Sequence, residues 1–313
     1  MVVRQLFFLW LARFRMSLTL SAPAKINLGL HVLRKREDGY HDIETVFYRI
    51  GWADTIRIAP ADRLHMTCSD PALPTNKDNL CLQAAHCLAD HLGQPRGAAL
   101  HLEKRVPYGA GLGGGSSDAA ATLRGLVDLW NVTVSEDLLF TIAASIGSDV
   151  PFFLMDSPMA HATGRGDQLT PLYKKRSDDA AESAAGARTR EPLHVPYTIV
   201  VLAPPVEIPT PDAYQRVTPD ANDRADLLAL VRSMDAGRWR AQLTNDFSSP
   251  ITDAYPPVRA ARALLREHGA DYVSLSGSGA AVYGMFSSPM QADEACEAAA
   301  HEGYRTHIDY AAS

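Results

Sequence analysis

The sequence predicts an α+β protein of two domains, and three observations carry that prediction. The chain has 313 residues, 46% of them hydrophobic, which is too long for one small domain and apolar enough for two packed cores. Its first half opens on strand-like alternation and then runs through a glycine-rich loop into a helix pattern. From Tyr272 onward it reads strand, strand, helix, strand, the order of a compact α+β unit.

The elements follow in chain order. From Lys25 to Val32, Ile26, Leu28, Leu30 and Val32 fall on one side and Lys25, Asn27, Gly29 and His31 on the other, which predicts a half-buried strand. Arg36-Glu-Asp-Gly39 supplies a turn, and Ile43–Ile50 returns as the second strand of a hairpin. Strands are expected at Thr55–Ala59, Leu64–Cys68 and Ala98–Lys104, with a helix from Asn79 to Leu92. Ala120, Leu123, Leu126, Val127 and Trp130 recur at helical spacing over Ser116–Trp130, and Glu136–Ile146 is a helix stopped by Gly147. A hairpin spans Met159–Leu172 and turns at Gly164-Arg-Gly166. Residues 174–194 are charged, alanine-rich and without aromatics, the composition of a flexible insertion. Tyr197–Ala203 is a strand, followed by helices near Asp223–Ser233, Gly237–Leu243 and Pro257–His268. Strands Tyr272–Ser276 and Ala280–Phe286, helix Gln291–Glu302 and strand Tyr304–Ile308 complete the chain. The expected organisation is an extension over residues 1–17, with an alternative start at Met16, then a nucleotide-binding domain over 18–173, the insertion, and a second domain over 195–313.

Charge and cysteine content narrow the function. A net charge of -6 and a pI near 6.0 give no basic footprint, so no nucleic-acid partner is expected. The apolar run Leu6–Ala12 is too short to span a bilayer and is followed by Arg13, Phe14 and Arg15 rather than a cleavage site, so no membrane partner is expected either. Cys68, Cys81, Cys87 and Cys296 lack CxxC spacing, which suits free thiols and a cytoplasmic location. Cys81, His86, Cys87 and His91 crowd one predicted helix; a metal site there competes with the plainer reading of buried small side chains.

The sharpest motif runs Pro107, Tyr108, Gly109, Ala110, Gly111, Leu112, Gly113, Gly114, Gly115, Ser116 and Ser117, between a strand and a helix. Glycine lets backbone N–H groups turn toward an anion, and a helix N-terminus adds its positive dipole end. No lysine precedes Ser116, so this is not a P-loop. Gly109-x-Gly111-x-x-Gly114 formally matches a dinucleotide fingerprint, but the stretch beyond the helix leads into another helix instead of a strand ending in an acidic residue. A ligand-free glycine connection is the remaining alternative, at a high entropic cost for five glycines.

With Ser21-Ala-Pro-Ala-Lys-Ile-Asn-Leu28, Arg36-Glu-Asp-Gly-Tyr-His41, Gly147-Ser-Asp-Val-Pro151, Ile208-Pro-Thr210, Asn245-Asp246 and Ser274-Leu-Ser-Gly-Ser-Gly279 in order around that loop, the sequence resembles the GHMP kinases from Leu18 to its C-terminus. The resemblance implies a two-domain GHMP kinase fold with the active site in the cleft between the domains, and ATP with Mg2+. It is strongest to a branch that phosphorylates the tertiary 2-hydroxyl of a cytidine-diphosphate-linked polyol for non-mevalonate isoprenoid synthesis. Mevalonate- or homoserine-type kinases, or a silent nucleotide-binding protein, are the alternatives.

Phosphoryl transfer needs positioning, charge neutralisation and a route for the hydroxyl proton. Lys25 is the expected cation and Asp149 the expected base, although Asp149 equally suits the N-cap of a short helix near Pro151. A pyrimidine gains from stacking on flat rings, which points to Tyr40, His41 and Tyr214. The resemblance puts His41 and Tyr214 at the cytosine and Asn27 near the polyol. Thr210, with Gly277 and Ser278 of the small-residue loop Ser276–Gly279, completes the expected substrate-binding set; that loop reads equally well as a hairpin turn or as a phosphate-facing turn. No protein ligand of magnesium is assigned, though Ser116 and Ser117 are candidate neighbours, and the oligomeric state is left open.

Overall fold

The structure is a computed structural model that describes residues 17–94, 96–174 and 191–311. Apart from their edges, the expected N-terminal extension and the insertion at 174–194 lie outside the described residues. The chain forms two compact units that interleave in sequence. The first comprises residues up to Ala22, Ala53–Arg105 and Gly114–Leu154; the second comprises Pro23–Trp52, Val106–Gly113 and the residues from Met155 onward. Strands β1 (Leu18–Lys35) and β2 (His41–Ala59) contribute residues to both.

In the first unit, Thr55–Ala59 of β2 pairs antiparallel with β4 (Ala99–Glu103), and β3 (His65–Cys68) pairs parallel with β4. Helices α1 (Leu80–His91), α2 (Gly114–Trp130), α3 (Glu136–Ile146) and α4 (Val150–Leu154) complete it. Local chemistry sets their ends: the Asn79 side chain accepts from Cys81 N, and the Ser135 hydroxyl accepts from Leu138 N. Gly125 lets side chains pack closely: a Cβ there would lie 2.5 Å from Ile58 Cδ1 and 2.7 Å from Leu20 Cδ1, and those side-chain ends would have to shift.

The second unit pairs β2 with β5 (Met159–Thr163), Thr45 opposite Ala162, and β5 with β6 (Gln168–Pro171). Its other sheet is antiparallel in the order β10 (Arg305–Asp309), β7 (Thr198–Ala203), β9 (Val282–Phe286), β8 (Tyr272–Leu275). Helices α5 (Thr210–Gln215), α6 (Leu227–Arg232), α7 (Ala236–Gln242), α8 (Ser248–Ala254), α9 (Pro256–Glu267) and α10 (Pro289–His301) join it. The period of two in β7 divides its side chains between two cores: Ile199 and Val201 with Trp239 and Tyr283, Val200 and Leu202 with Phe247 and Leu264.

Three expectations change. The Lys25–Val32 strand is not half-buried, because Lys25, Asn27 and His31 are buried along with the apolar face. Thr55–Ala59 is not a separate strand but the continuation of β2. Helices α5 and α8 were not expected from the sequence: each buries a single residue, Ala213 and Ile251, and so shows no apolar stripe.

Candidate active site

Between β4 and α2 the loop places Gly109, Gly111 and Gly113 at φ of 69°, 82° and 67°, left-handed values that L side chains adopt only with strain. Gly114 and Gly115 belong to the first turn of α2, so the helix begins two residues before the predicted Ser116. Its first N–H groups have no intrahelical acceptor, which makes this end suited to an anion. Ser116 is half-buried; Ser117 is buried, and its hydroxyl has no hydrogen-bond partner among the described residues. Trp130 is followed by α3 with no strand between, which removes the dinucleotide-binding alternative.

Within the second unit this loop packs backbone to backbone on Ser276–Gly279. A Cβ on Gly111 would lie 2.1 Å from Ser276 O, and one on Gly279 would lie 2.3 Å from Gly111 N. The Ser276 hydroxyl donates to Gly111 O (2.8 Å), and Ala281 N donates to Ala110 O (3.0 Å). The small residues of the second loop are therefore demanded by the first loop, a reason the two sequence readings did not include. Beneath them, Asn245 Nδ2 donates to the carbonyls of Leu275 (3.1 Å) and Gly277 (3.0 Å).

Lys25 comes from β1 into the same cluster. Its Nζ donates to Asn27 Oδ1 (2.6 Å) and Gly111 O (3.2 Å) and lies 4.9 Å from the centroid of the Phe47 ring. Asn27 Nδ2 donates to Thr45 Oγ1 (3.0 Å), Thr45 Oγ1 donates to Gly29 O (2.5 Å), and the Tyr283 hydroxyl donates to Asn27 O (2.8 Å). The Thr45 bond fixes which end of the Asn27 amide faces the ammonium. A Cβ on Gly277 would stand 3.3 Å from Asn27 Oδ1. Lys25, Asn27, Gly111 and Gly277 are thus brought together, and Thr45, Phe47, Asn245 and Tyr283 join them without having been assigned a role from sequence. Asn245 stood inside a quoted motif; Thr45 and Phe47 carry no signal until the β1/β2 pairing is known, nor Tyr283 until β9 is placed.

His41 and Tyr214 stack, with ring centroids 4.5 Å apart and planes at 21°, and Phe247 meets Tyr214 edge-on at 5.0 Å. Burial, followed by the nearby Lys35 charge, holds the His41 imidazole below its usual pKa, so it is neutral at pH 7. Tyr40 is not part of this stack. It is 58% exposed, with the Arg165 guanidinium 5.0 Å from its ring centroid. Thr210 is exposed at the start of α5, one turn before Tyr214, and Ser278 is half-buried. In the first unit, Asp149 stands half-buried immediately before α4, and Ser148 Oγ donates to its Oδ1 (3.3 Å).

A second buried lysine was not singled out from sequence. Lys104 Nζ lies 2.5 Å from Asp54 Oδ2 and 2.9 Å from Asp118 Oδ2, all three side chains at most 4% exposed. Burial pushes the Asp118 carboxyl up to about 7 despite the Lys104 ammonium beside it. On α1, Cys81 is buried and His86 exposed, and among the described residues no group of three or more His, Cys, Asp or Glu is placed to hold a metal.

Residues 79–157 match the GHMP kinases N terminal domain and residues 227–305 the GHMP kinases C terminal domain. The 4-diphosphocytidyl-2-C-methyl-D-erythritol kinase of Salinibacter ruber is 57% identical over 94% of this chain and 98% of its own. That of Chlorobaculum parvum is 41% identical over 89% and 92%. A crystal structure of 4-(cytidine 5'-diphospho)-2C-methyl-D-erythritol kinase superposes with a TM-score of 0.72 at 34% identity, covering 95% of this chain and all of the other. Among the described residues no helix is long and apolar enough to cross a membrane. The motifs, the loop geometry and these full-length matches agree: the chain belongs to the GHMP kinase family and, within it, to the 4-diphosphocytidyl-2-C-methyl-D-erythritol kinase branch.

Proposed function

We propose that this protein transfers the γ-phosphoryl group of ATP to the 2-hydroxyl of 4-diphosphocytidyl-2-C-methyl-D-erythritol, a step of isoprenoid precursor synthesis by the non-mevalonate route, in the cytoplasm. The observation that carries the reading is the His41–Tyr214 stack, because a flat, uncharged aromatic pair suits a pyrimidine and has no use in a kinase for mevalonate or homoserine. In this reading Tyr40 and Thr210 border the cytidylyl end, and Asn27, Gly277 and Ser278 border the polyol and its phosphates.

The ATP phosphates lie along Pro107–Ser117, bound by loop N–H groups and the N-terminus of α2. The left-handed glycines expose those groups, and the close fit of Gly111 against Ser276 keeps the loop in one conformation. Lys25 supplies positive charge to the transferring group and lowers the pKa of the accepting hydroxyl. Asp149 accepts or orients the proton of that hydroxyl. Magnesium, when bound, would offset the charge of the ATP phosphates; as a hard cation it would take oxygen ligands, for which the half-buried Ser116 hydroxyl is suited.

The test is ATP consumption with the cytidylyl substrate, mevalonate and homoserine, using wild type and Lys25→Ala. Turnover confined to the cytidylyl substrate and lost in Lys25→Ala is expected. Comparable turnover of mevalonate or homoserine would overturn the substrate assignment.

A further inference from the structure

The second unit carries a groove of about 850 Å³ lined by the segment around Asn245, the end of α7, one side of α9 and the approach to β8. Its charge is lopsided. Arg224 is neutralised by Asp246 through two bonds of 2.9 and 2.8 Å. The other three guanidiniums are not matched by carboxylates. Arg240 donates to the Asp271 backbone carbonyl (2.9 and 2.6 Å), Arg262 donates to the Thr252 hydroxyl (2.7 Å), and Arg266 has no ion-pair partner among the described residues. The remaining acidic group of the lining, Asp271, is engaged through Oδ2 by the Ser287 N–H (2.7 Å). Arg262 Nε is buried with no partner.

We propose that this groove binds a small molecule carrying a diphosphate group, held by Arg262 and Arg266 with Arg240 at the rim. Arg262 and Arg266 are four residues apart on α9, so their side chains emerge next to one another. Two planar forks side by side suit adjacent phosphates, each taking paired N–H···O bonds. Burial and then the Arg266 charge depress the Arg262 pKa. The volume exceeds that of a bare phosphate group and leaves room for an organic portion. Asn245, which lines the groove, also holds the carbonyls of Leu275 and Gly277, so an occupant rests on the support of the second loop. None of the arginines belongs to the site assigned to ATP or the cytidylyl substrate, so this inference stands apart from that reading.

The test is calorimetric titration of inorganic diphosphate into the full chain at fixed ionic strength, with the nucleotide site saturated by a non-hydrolysable ATP analogue. One diphosphate per chain is expected. Its affinity should fall about tenfold or more in Arg266→Gln, as when a charge-assisted bond is lost, and further in Arg262→Gln/Arg266→Gln. Arg266 and Arg240 are exposed, so their single variants keep the fold even where the double variant does not. Absence of binding at millimolar diphosphate, or unchanged affinity in both Arg266→Gln and Arg240→Gln, would overturn the proposal.

Discussion

Lys25 in the second unit and Lys104 in the first both bury their side chains, and each is held by its own set of hydrogen bonds. Lys104 lies between the carboxyl groups of Asp54 and Asp118, one negative charge of which neutralises it. Lys25 is set against a side-chain amide, a loop carbonyl and an aromatic ring, which orient an ammonium. Deleting Lys104 strands buried acidic groups, which is costly, and at Lys25 the Asn27 amide and the Gly111 carbonyl hold the ammonium in one position. The same residue type thus serves stability in one unit and, in our reading, turnover in the other.

The largest expected effect breaks or upholds that contrast directly. Lys104→Met should lower the unfolding free energy by about 3–5 kcal/mol in urea titrations, the usual cost of removing one member of a buried ion cluster. A loss under about 1 kcal/mol would show that the cluster does not hold the first unit together. Lys25→Ala should instead show itself in turnover, lowering kcat by about 10²–10³-fold. For Asp149→Asn we expect a fall of about 10²-fold in kcat with folding intact; near-normal turnover would remove it from the proton route. Tyr214→Ala should raise KM for the cytidylyl substrate about tenfold and leave KM for ATP unchanged, since it removes one stacking surface.

The smallest effect is in slope. Because burial raises the folded Asp118 pKa above the ordinary 3.8, its contribution to stability is complete below 3.8 and is lost as pH rises through the raised folded value. Asp118→Asn should therefore flatten the dependence of melting temperature on pH across that window. An unchanged slope would mean that Asp118 is ionised throughout.

Much of the fold was legible because local chemistry dictates it. The Gly147 stop and the Gly164–Gly166 turn are written in single residues, and the last strand, strand, helix and strand fall near their predicted positions. The site was legible where residues of one segment act together, as in the loop from Gly109 and the Lys25/Asn27 pair on alternate positions of one strand. It was not legible where partners are distant in sequence: Thr45 fixes Asn27, Tyr283 reaches it from β9, and Asp54 neutralises Lys104 from fifty residues away.

The sequence by itself determined that a glycine loop feeds a helix and that catalytic charge must come from outside it, because both follow from residue types at short range. Only the tertiary structure decided that Lys25 is buried and that Gly111 and Gly279 are required by each other. It also decided that His41 stacks on Tyr214 while its neighbour Tyr40 does not. Burial and close approach are properties of segments brought together by packing, and no single segment encodes them.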